Sequence, residues 1–161
     1  MLVKYMPTAD KILTLESLVE ERQEWKDQKV VFTNGCFDIL HLGHVDYLEK
    51  AAAKGDKLIV ALNTDASVSK LKGPKRPVNN EMARARIMAA LSFVDAVIFF
   101  SEDTPFSLIK QLKPDVLVKG SDYKISNIVG ADIVMENGGK VETIELVDGY
   151  STTNIINKIN Q

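Results

Sequence analysis

The stretch Lys29-Val-Val-Phe-Thr-Asn-Gly-Cys-Phe-Asp-Ile-Leu-His-Leu-Gly-His44 decides the fold, because its periodicity changes halfway along. Residues 29–33 are β-branched and aromatic and end at Asn34-Gly35, the pattern of a short buried strand. After the histidines, Val45, Leu48, Ala51 and Ala52 recur at helical spacing, which predicts a helix over 42–54. A buried strand that passes through a short loop into a helix is the opening unit of an α/β domain.

Working outward, Leu15, Leu18, Val19, Arg22 and Trp25 fall three or four apart, predicting an amphipathic helix over 14–26 capped by Thr14. Residues 1–28 are then an N-terminal helical extension packed on the domain. Downstream, apolar strands are expected at 57–62, 96–100, 115–118 and 140–146. Between them lie a helical turn at 65–70 and a helix over 80–91, with Asn80 as cap and Glu81 in its first turn. A helix over 104–112 has Thr104 as cap and Pro105 at its first position. Another spans 128–137 despite Gly130, and a last one over 151–159 is capped by Ser151. Two prolines and a glycine make 72–77 a loop. Strands alternating with helices imply one domain over 1–161, α/β, with a Rossmann-like doubly wound five-stranded parallel sheet.

Composition narrows the partners. The 161 residues are 45% hydrophobic and 26% charged, ordinary for a globular chain. A net charge of −2 provides no field to hold a nucleic-acid backbone. No apolar run approaches the roughly 20 residues of a membrane span, and none of leader length opens the chain. The single cysteine, Cys36, excludes an intrachain disulfide and suits a reducing compartment. A cytoplasmic protein with small-molecule substrates, and with neither nucleic acid nor membrane as partner, is expected.

In a doubly wound sheet the ligand sits at the carboxyl ends of the strands, near the switch in strand order. The first strand ends there in His41-Leu-Gly-His44, and neither G-x-x-x-x-G-K-[ST] nor G-x-G-x-x-G is present. Residues three apart share a face of a helical turn, so both imidazoles can meet one anion beside free helix N–H groups. Gly43 between them leaves room for a nucleotide to approach. A lone histidine at a helix start is usually a solvated surface group; the pair, the glycine and the strand–loop–helix context favour a phosphate site instead.

With these residues in view the chain resembles the HxGH nucleotidyltransferase superfamily, whose fold is the HUP/nucleotidyltransferase type. The resemblance runs over about residues 30–159. It is carried by Gly35-Cys-Phe-Asp-Ile-Leu-His-Leu-Gly-His44, Lys72-Gly-Pro-Lys-Arg-Pro77, Lys119-Gly-Ser-Asp-Tyr123 and Asp148-Gly-Tyr-Ser-Thr-Thr-Asn-Ile-Ile156. Within the superfamily the wording is most similar to the adenylyltransferase domain of ADP-heptose synthase. That resemblance implies transfer of AMP from ATP to D-glycero-β-D-manno-heptose 1-phosphate, giving ADP-heptose for lipopolysaccharide core and pyrophosphate. It also implies Mg²⁺ carried by the ATP rather than by a protein-only metal site, a homodimer, and a functional link to a separate sugar kinase, for which the chain has no room. Ser121 departs from the usual K-G-G-D-Y, which bears on nucleotide selectivity.

Residue by residue, the resemblance implies that His41 and His44 donate to α/β-phosphate oxygens and that Lys72 is catalytic with them. Gly35, Cys36, Phe37 and Gly43 would line the phosphate site, Cys36 as a packing residue rather than a nucleophile. Lys72, Lys75 and Arg76 form a mobile basic loop able to close over phosphates. Arg84, a cation one turn into its helix, is expected to reach a ligand phosphate. Lys119, Gly120 and Asp122 would meet ribose and base, with Asp122 accepting from a ribose hydroxyl. Ser151, Thr152 and Thr153 open the final helix as a second anion site, or Ser151 is an ordinary cap. Asp38 either orients the acceptor, binds Mg²⁺, or caps the turn that follows it.

Other readings make different demands. Glycerol-3-phosphate cytidylyltransferases typically read G-T-F-D where this chain has Gly35-Cys-Phe-Asp38, and carry an arginine where it has Leu146. Flavin-nucleotide and pantetheine adenylyltransferases share the histidine pair. A class I aminoacyl-tRNA synthetase fragment expects a K-M-S-K-S loop, which is absent. A non-catalytic nucleotide-sensing module would keep the fold and lose a histidine or the Ser-Thr-Thr segment, and both are intact.

Overall fold

The computed structural model describes residues 6–161. Five strands, β1 (Val30–Gly35), β2 (Lys57–Asn63), β3 (Ala96–Phe100), β4 (Val116–Gly120) and β5 (Lys140–Ile144), form one sheet. Its order is β3-β2-β1-β4-β5, and every pairing is parallel. Parallel neighbours need crossovers, and the helices supply them on both faces. They are α1 (Leu15–Glu24), α2 (Leu42–Ala52), α3 (Asp65–Lys72), α4 (Glu81–Ala89), α5 (Phe106–Leu112), α6 (Ala131–Glu136) and α7 (Thr152–Ile159).

Alternation along each strand sorts its side chains into two apolar layers. Val31, Val60 and Leu62 face Leu48 and Ala51 of α2 and Met88 of α4. Phe32, Ile59 and Ala61 face Leu18 of α1, Ile109 of α5 and Val134 of α6. Because both faces are covered, the central strands read as unbroken apolar runs. Among the described residues, no helix is long and apolar enough to cross a membrane.

The N-terminal extension was expected over 1–28; residues 1–5 lie outside the described residues. The remainder is tied into the sheet. Ile12 bridges Val97, the Leu13 N–H donates to the Val97 carbonyl at 2.9 Å, and Lys11 Nζ reaches the Val94 carbonyl at 2.7 Å. Thr14 caps α1, Asn80 caps α4 and Ser151 caps α7, each accepting from the backbone N–H three residues on.

Three local expectations are corrected. Thr104 does not cap α5: Pro105 is the N-cap residue, because its carbonyl accepts from Ile109 N–H at 3.0 Å and Thr104 lies one place too early. The helix expected over 128–137 starts only after Gly130, whose φ of 84° makes it the left-handed N-cap. The fifth strand stops at Ile144, which frees Leu146 to line the ligand cleft.

Candidate active site

Strand β1 lies between β2 and β4, so the reversal of strand order falls beside it. Its pairing with β4 covers only Val31–Val116 and Phe32–Leu117, and the two strands part beyond that point. Side chains bridge the gap. Thr33 Oγ1 donates to the Val118 carbonyl at 3.0 Å and lies 2.7 Å from Tyr47 Oη, which reaches the same carbonyl at 3.2 Å. Lys119 Nζ spans to the Asn34 carbonyl at 3.3 Å and to its side-chain oxygen at 3.2 Å. Above these bridges opens a cleft of about 640 Å³, at the carboxyl ends of the strands, where an open parallel sheet places its ligand.

His41 and His44 both line this cleft. The rings stack with centroids 3.7 Å apart and planes at 22°. Phe37 meets His44 edge-on at 5.0 Å, and Tyr150 lies 6.4 Å from His41. His41 is the N-cap residue of α2 but makes no side-chain cap, so its ring stays with the cleft. The Nδ1 atoms of both histidines are buried and have no hydrogen-bond partner. Leaving a buried polar atom unpaired costs about 1–3 kcal/mol, so each ring keeps a polar group that folding alone does not satisfy. Burial pushes the His44 imidazole down to about 4, helped by the adjacent His41 ring; burial also lowers His41. Both rings are therefore neutral at pH 7.

The glycines make room for site side chains rather than for open space. A Cβ at Gly43 would stand 3.1 Å from the His41 ring and from Tyr150 Cβ. One at Gly35 would strike the Phe37 ring at 2.8 Å, and one at Gly120 the Asp122 carboxylate at 2.5 Å. Phe37 folds back in this way because its φ is 45°, a left-handed conformation that costs a non-glycine residue roughly 1 kcal/mol or more.

Other expected residues are also brought to the cleft. Cys36, Lys72, Lys119, Gly120, Asp122, Ser151, Thr152 and Thr153 line it. Burial raises the Cys36 thiol, which lies 3.7 Å from Asn63 Oδ1, so it is a packed thiol and not a poised thiolate. Lys119 and Gly120 are the last two residues of β4; burial lowers the Lys119 ammonium, with Asp122 opposing. Ser151 Oγ accepts from Asn154 N–H at 3.0 Å, so it is a cap that also faces the cleft.

Three expectations change. Arg84 is 1% exposed and does not line the cleft. Its guanidinium donates to the Cys36 carbonyl at 2.8 Å, to Asp65 at 2.9 Å and to the Asn79 carbonyl at 3.1 Å. It holds the end of β1 against α3 and α4 instead of reaching for a phosphate. Asp38 is 2% exposed, and neither binds openly nor caps the next turn. It accepts from Arg76 Nε at 2.6 Å and from the Val78 and Asn79 N–H groups at 2.9 Å. Burial alone would raise its carboxyl, but these hydrogen bonds hold it below the usual carboxylate range. The basic loop is thereby pinned, and a Ser69 hydroxyl donating to the Arg76 carbonyl at 2.6 Å fixes it further. A freely moving loop is not what these bonds describe.

The sequence reading overlooked Tyr47, Asn63 and Tyr150, all in the cleft wall. Tyr47 was legible as a tyrosine on an apolar helical face; burial raises it to about 12, so it stays protonated. Nothing local singles out Asn63, which is buried and donates to Ser67 Oγ at 2.9 Å.

A family model described as cytidylyltransferase-like matches residues 32–158. A bifunctional protein HldE of Methylobacillus flagellatus is 56% identical over 153 residues, covering 94% of this chain and 31% of that protein. A bifunctional protein HldE of Campylobacter jejuni subsp. doylei is 62% identical over 134 residues, 83% of this chain and 28% of that one. The chain thus spans about a third of the length of the curated relatives it matches. A lipopolysaccharide core biosynthesis protein from Thermoplasma volcanium has a similar structure, with a TM-score of 0.60 and 29% identity, over 77% of this chain and 99% of that one. Pantothenate synthetase from Thermus thermophilus, at 15% identity and a TM-score of 0.62 over 90% of this chain and 67% of that one, shares the fold alone. The match over the stacked histidines and most of the sheet shows that the chain belongs to the cytidylyltransferase-like family.

Proposed function

We propose that the protein is a nucleotidyltransferase that moves AMP from ATP to D-glycero-β-D-manno-heptose 1-phosphate, forming ADP-heptose and pyrophosphate. The observation that carries the reaction class is the pair of stacked, neutral imidazoles with unpartnered Nδ1 atoms at the switch point. The choice of substrates leans on the HldE relatives, on the relative named for lipopolysaccharide core biosynthesis, and on Leu146 standing in the cleft where the cytidylyl pattern has an arginine.

In the proposed reaction an acceptor phosphate oxygen attacks the α-phosphorus of ATP in line, the new P–O bond forms, and the bond to pyrophosphate breaks. The nucleophile is already ionised near neutral pH, so no general base is required. The barrier lies in bringing anions together and spreading charge over the transferred group, which is positional and electrostatic work. Neutral His41 and His44 would donate hydrogen bonds to the α/β-phosphate oxygens as charge builds, with Lys72 beside them. Lys119, Gly120 and Asp122 are proposed to meet ribose and base, and the start of α7 at Ser151–Thr153 the leaving phosphates. Mg²⁺ is proposed to arrive with ATP. Asp38 has both oxygens engaged within the chain. A homodimer, cytoplasmic residence and a link to a sugar kinase activity belong to the same proposal.

The test is a pyrophosphate-release panel crossing ATP and CTP with heptose 1-phosphate, glycerol 3-phosphate, FMN and phosphopantetheine, with Mg²⁺ present. Release is expected with ATP and heptose 1-phosphate. His41→Ala and His44→Ala should each lower turnover by roughly 100-fold or more, with a smaller effect on ATP affinity. Release with CTP and glycerol 3-phosphate alone would replace the substrates and keep the reaction class. No release with any pair would favour the sensing module.

A further inference from the structure

The notable side chain in the pinned loop is Arg76. It lines the cleft, and its Nε is the nitrogen committed to Asp38, at 2.6 Å. No other side-chain hydrogen bond of Arg76 occurs among the described residues, so both terminal Nη groups remain for a ligand. A guanidinium clamped at Nε with both Nη groups unpartnered is a preorganised phosphate fork. Its anchor is firm: the Asp38 side chain is 1% exposed and is itself held by two backbone N–H groups.

Position within the cleft says which phosphate. Lys119 and Gly120 end β4 and Asp122 follows two residues on, so these residues form the half of the cleft beyond β1 on the β4–β5 side. Asn63 ends β2 and Phe100 ends β3 in the opposite half, and Arg76 is tied to that side by Ser69 of α3, the helix after β2, whose hydroxyl donates to the Arg76 carbonyl at 2.6 Å. The histidines follow β1, the strand between the two halves. In-line displacement sets attacking and leaving oxygens on opposite sides of the phosphorus. With ATP and its leaving pyrophosphate on the β4–β5 side, the acceptor enters from the β2–β3 side.

From this geometry we infer that Arg76 binds the acceptor's phosphate monoester through its Nη groups, and that Asp38 is the positioning residue that aims it. The inference rests on the nucleotidyl-transfer reading above and adds to it the place and partner of the second substrate. Asp38 thereby has a role that is neither metal binding nor capping.

The experiment uses the full chain with Arg76→Lys and Asp38→Asn. A lysine still donates to Asp38, so the buried carboxylate keeps a cation, but one ammonium cannot also reach the phosphate with a fork. Circular dichroism melts confirm folding; should Arg76→Lys fail to fold, Arg76→Gln is read in its place. The expected result is an acceptor KM raised by about 10- to 100-fold while the ATP KM moves less than about threefold. Asp38→Asn should shift the same constant in the same direction. The double variant should add little, because the two residues act as one unit. An unchanged acceptor KM, or an ATP KM that rises as much, would overturn the assignment. Should the wild-type chain turn over none of the acceptors, the nucleotidyl-transfer reading fails separately. Arg76 is then tested by ³¹P NMR titration with inorganic phosphate: binding lost in Arg76→Lys upholds the fork, and equal binding by both proteins refutes it.

Discussion

Protonating His44 should cost the fold measurable stability, and the size follows from its surroundings. Burial against Phe37 and stacking at 3.7 Å on His41 push the imidazole from 6.5 to about 4. Between those two pH values the unfolded chain binds a proton at this residue that the folded chain does not. Stability therefore rises with pH across the window; its contribution is complete above 6.5 and is lost as pH falls toward 4. At ~1.4 kcal/mol per pH unit, the full interval amounts to about 3 kcal/mol. The chain has only two histidines, so two Cε1–H resonances report them directly in a ¹H–¹³C titration. The His44 resonance should titrate near 4 and His41 below 6.5. Urea unfolding at pH 7 and pH 4.5 should then show a larger loss for wild type than for His44→Asn, whose amide does not titrate. Adding tripolyphosphate should move the His44 midpoint upward, since a nearby anion favours the imidazolium. A His44 midpoint at or above 6.5 in the ligand-free protein, or equal pH slopes for wild type and variant, would refute the account of a buried neutral pair.

Three further outcomes are expected. Gly43→Ala places a methyl 3.1 Å from the His41 ring and Tyr150 Cβ, so pyrophosphate release should fall about tenfold or more with little change in melting temperature; unchanged turnover would show that the ring can yield. Arg84→Lys loses the fork shared by the Cys36 carbonyl, Asp65 and the Asn79 carbonyl, and should cost about 2 kcal/mol in urea titrations. A selective loss of nucleotide affinity at full stability would instead make it a ligand residue. Tyr47→Phe removes the bridge to Thr33 and Val118 and should cost about 1 kcal/mol, read from the urea midpoint; a midpoint equal to wild type would mean the bridge adds nothing.

What could be read from the chain divides by distance along it. The strand order's consequence, the histidine pair, and the caps at Thr14, Asn80 and Ser151 depend on neighbours a few residues away, so spacing and residue type were enough to find them. Thr104 and Gly130 were misjudged for an equally local reason: a cap one residue out of place and a glycine's sign of φ are not encoded in apolar periodicity. The partners of Asp38 and Arg84 escaped the sequence reading for the opposite reason. The partners of Asp38 lie 38 to 41 residues downstream, and Arg84 reaches back 48 residues to Cys36. A buried charge must be paired, and an arginine or aspartate in a sequence carries no mark of whether its pair is a ligand or the chain itself. Here the distinction follows from counting committed atoms. Arg84 engages Nε, Nη1 and Nη2 with the chain itself and, at 1% exposed, lies outside the cleft lining. Arg76 commits Nε alone and the histidines commit neither Nδ1, so these three cleft side chains keep polar atoms that the fold does not use. In a site whose work is to hold anions together, the groups left unpaired by folding are the ones available for chemistry, and the fully paired ones are what keep them in place.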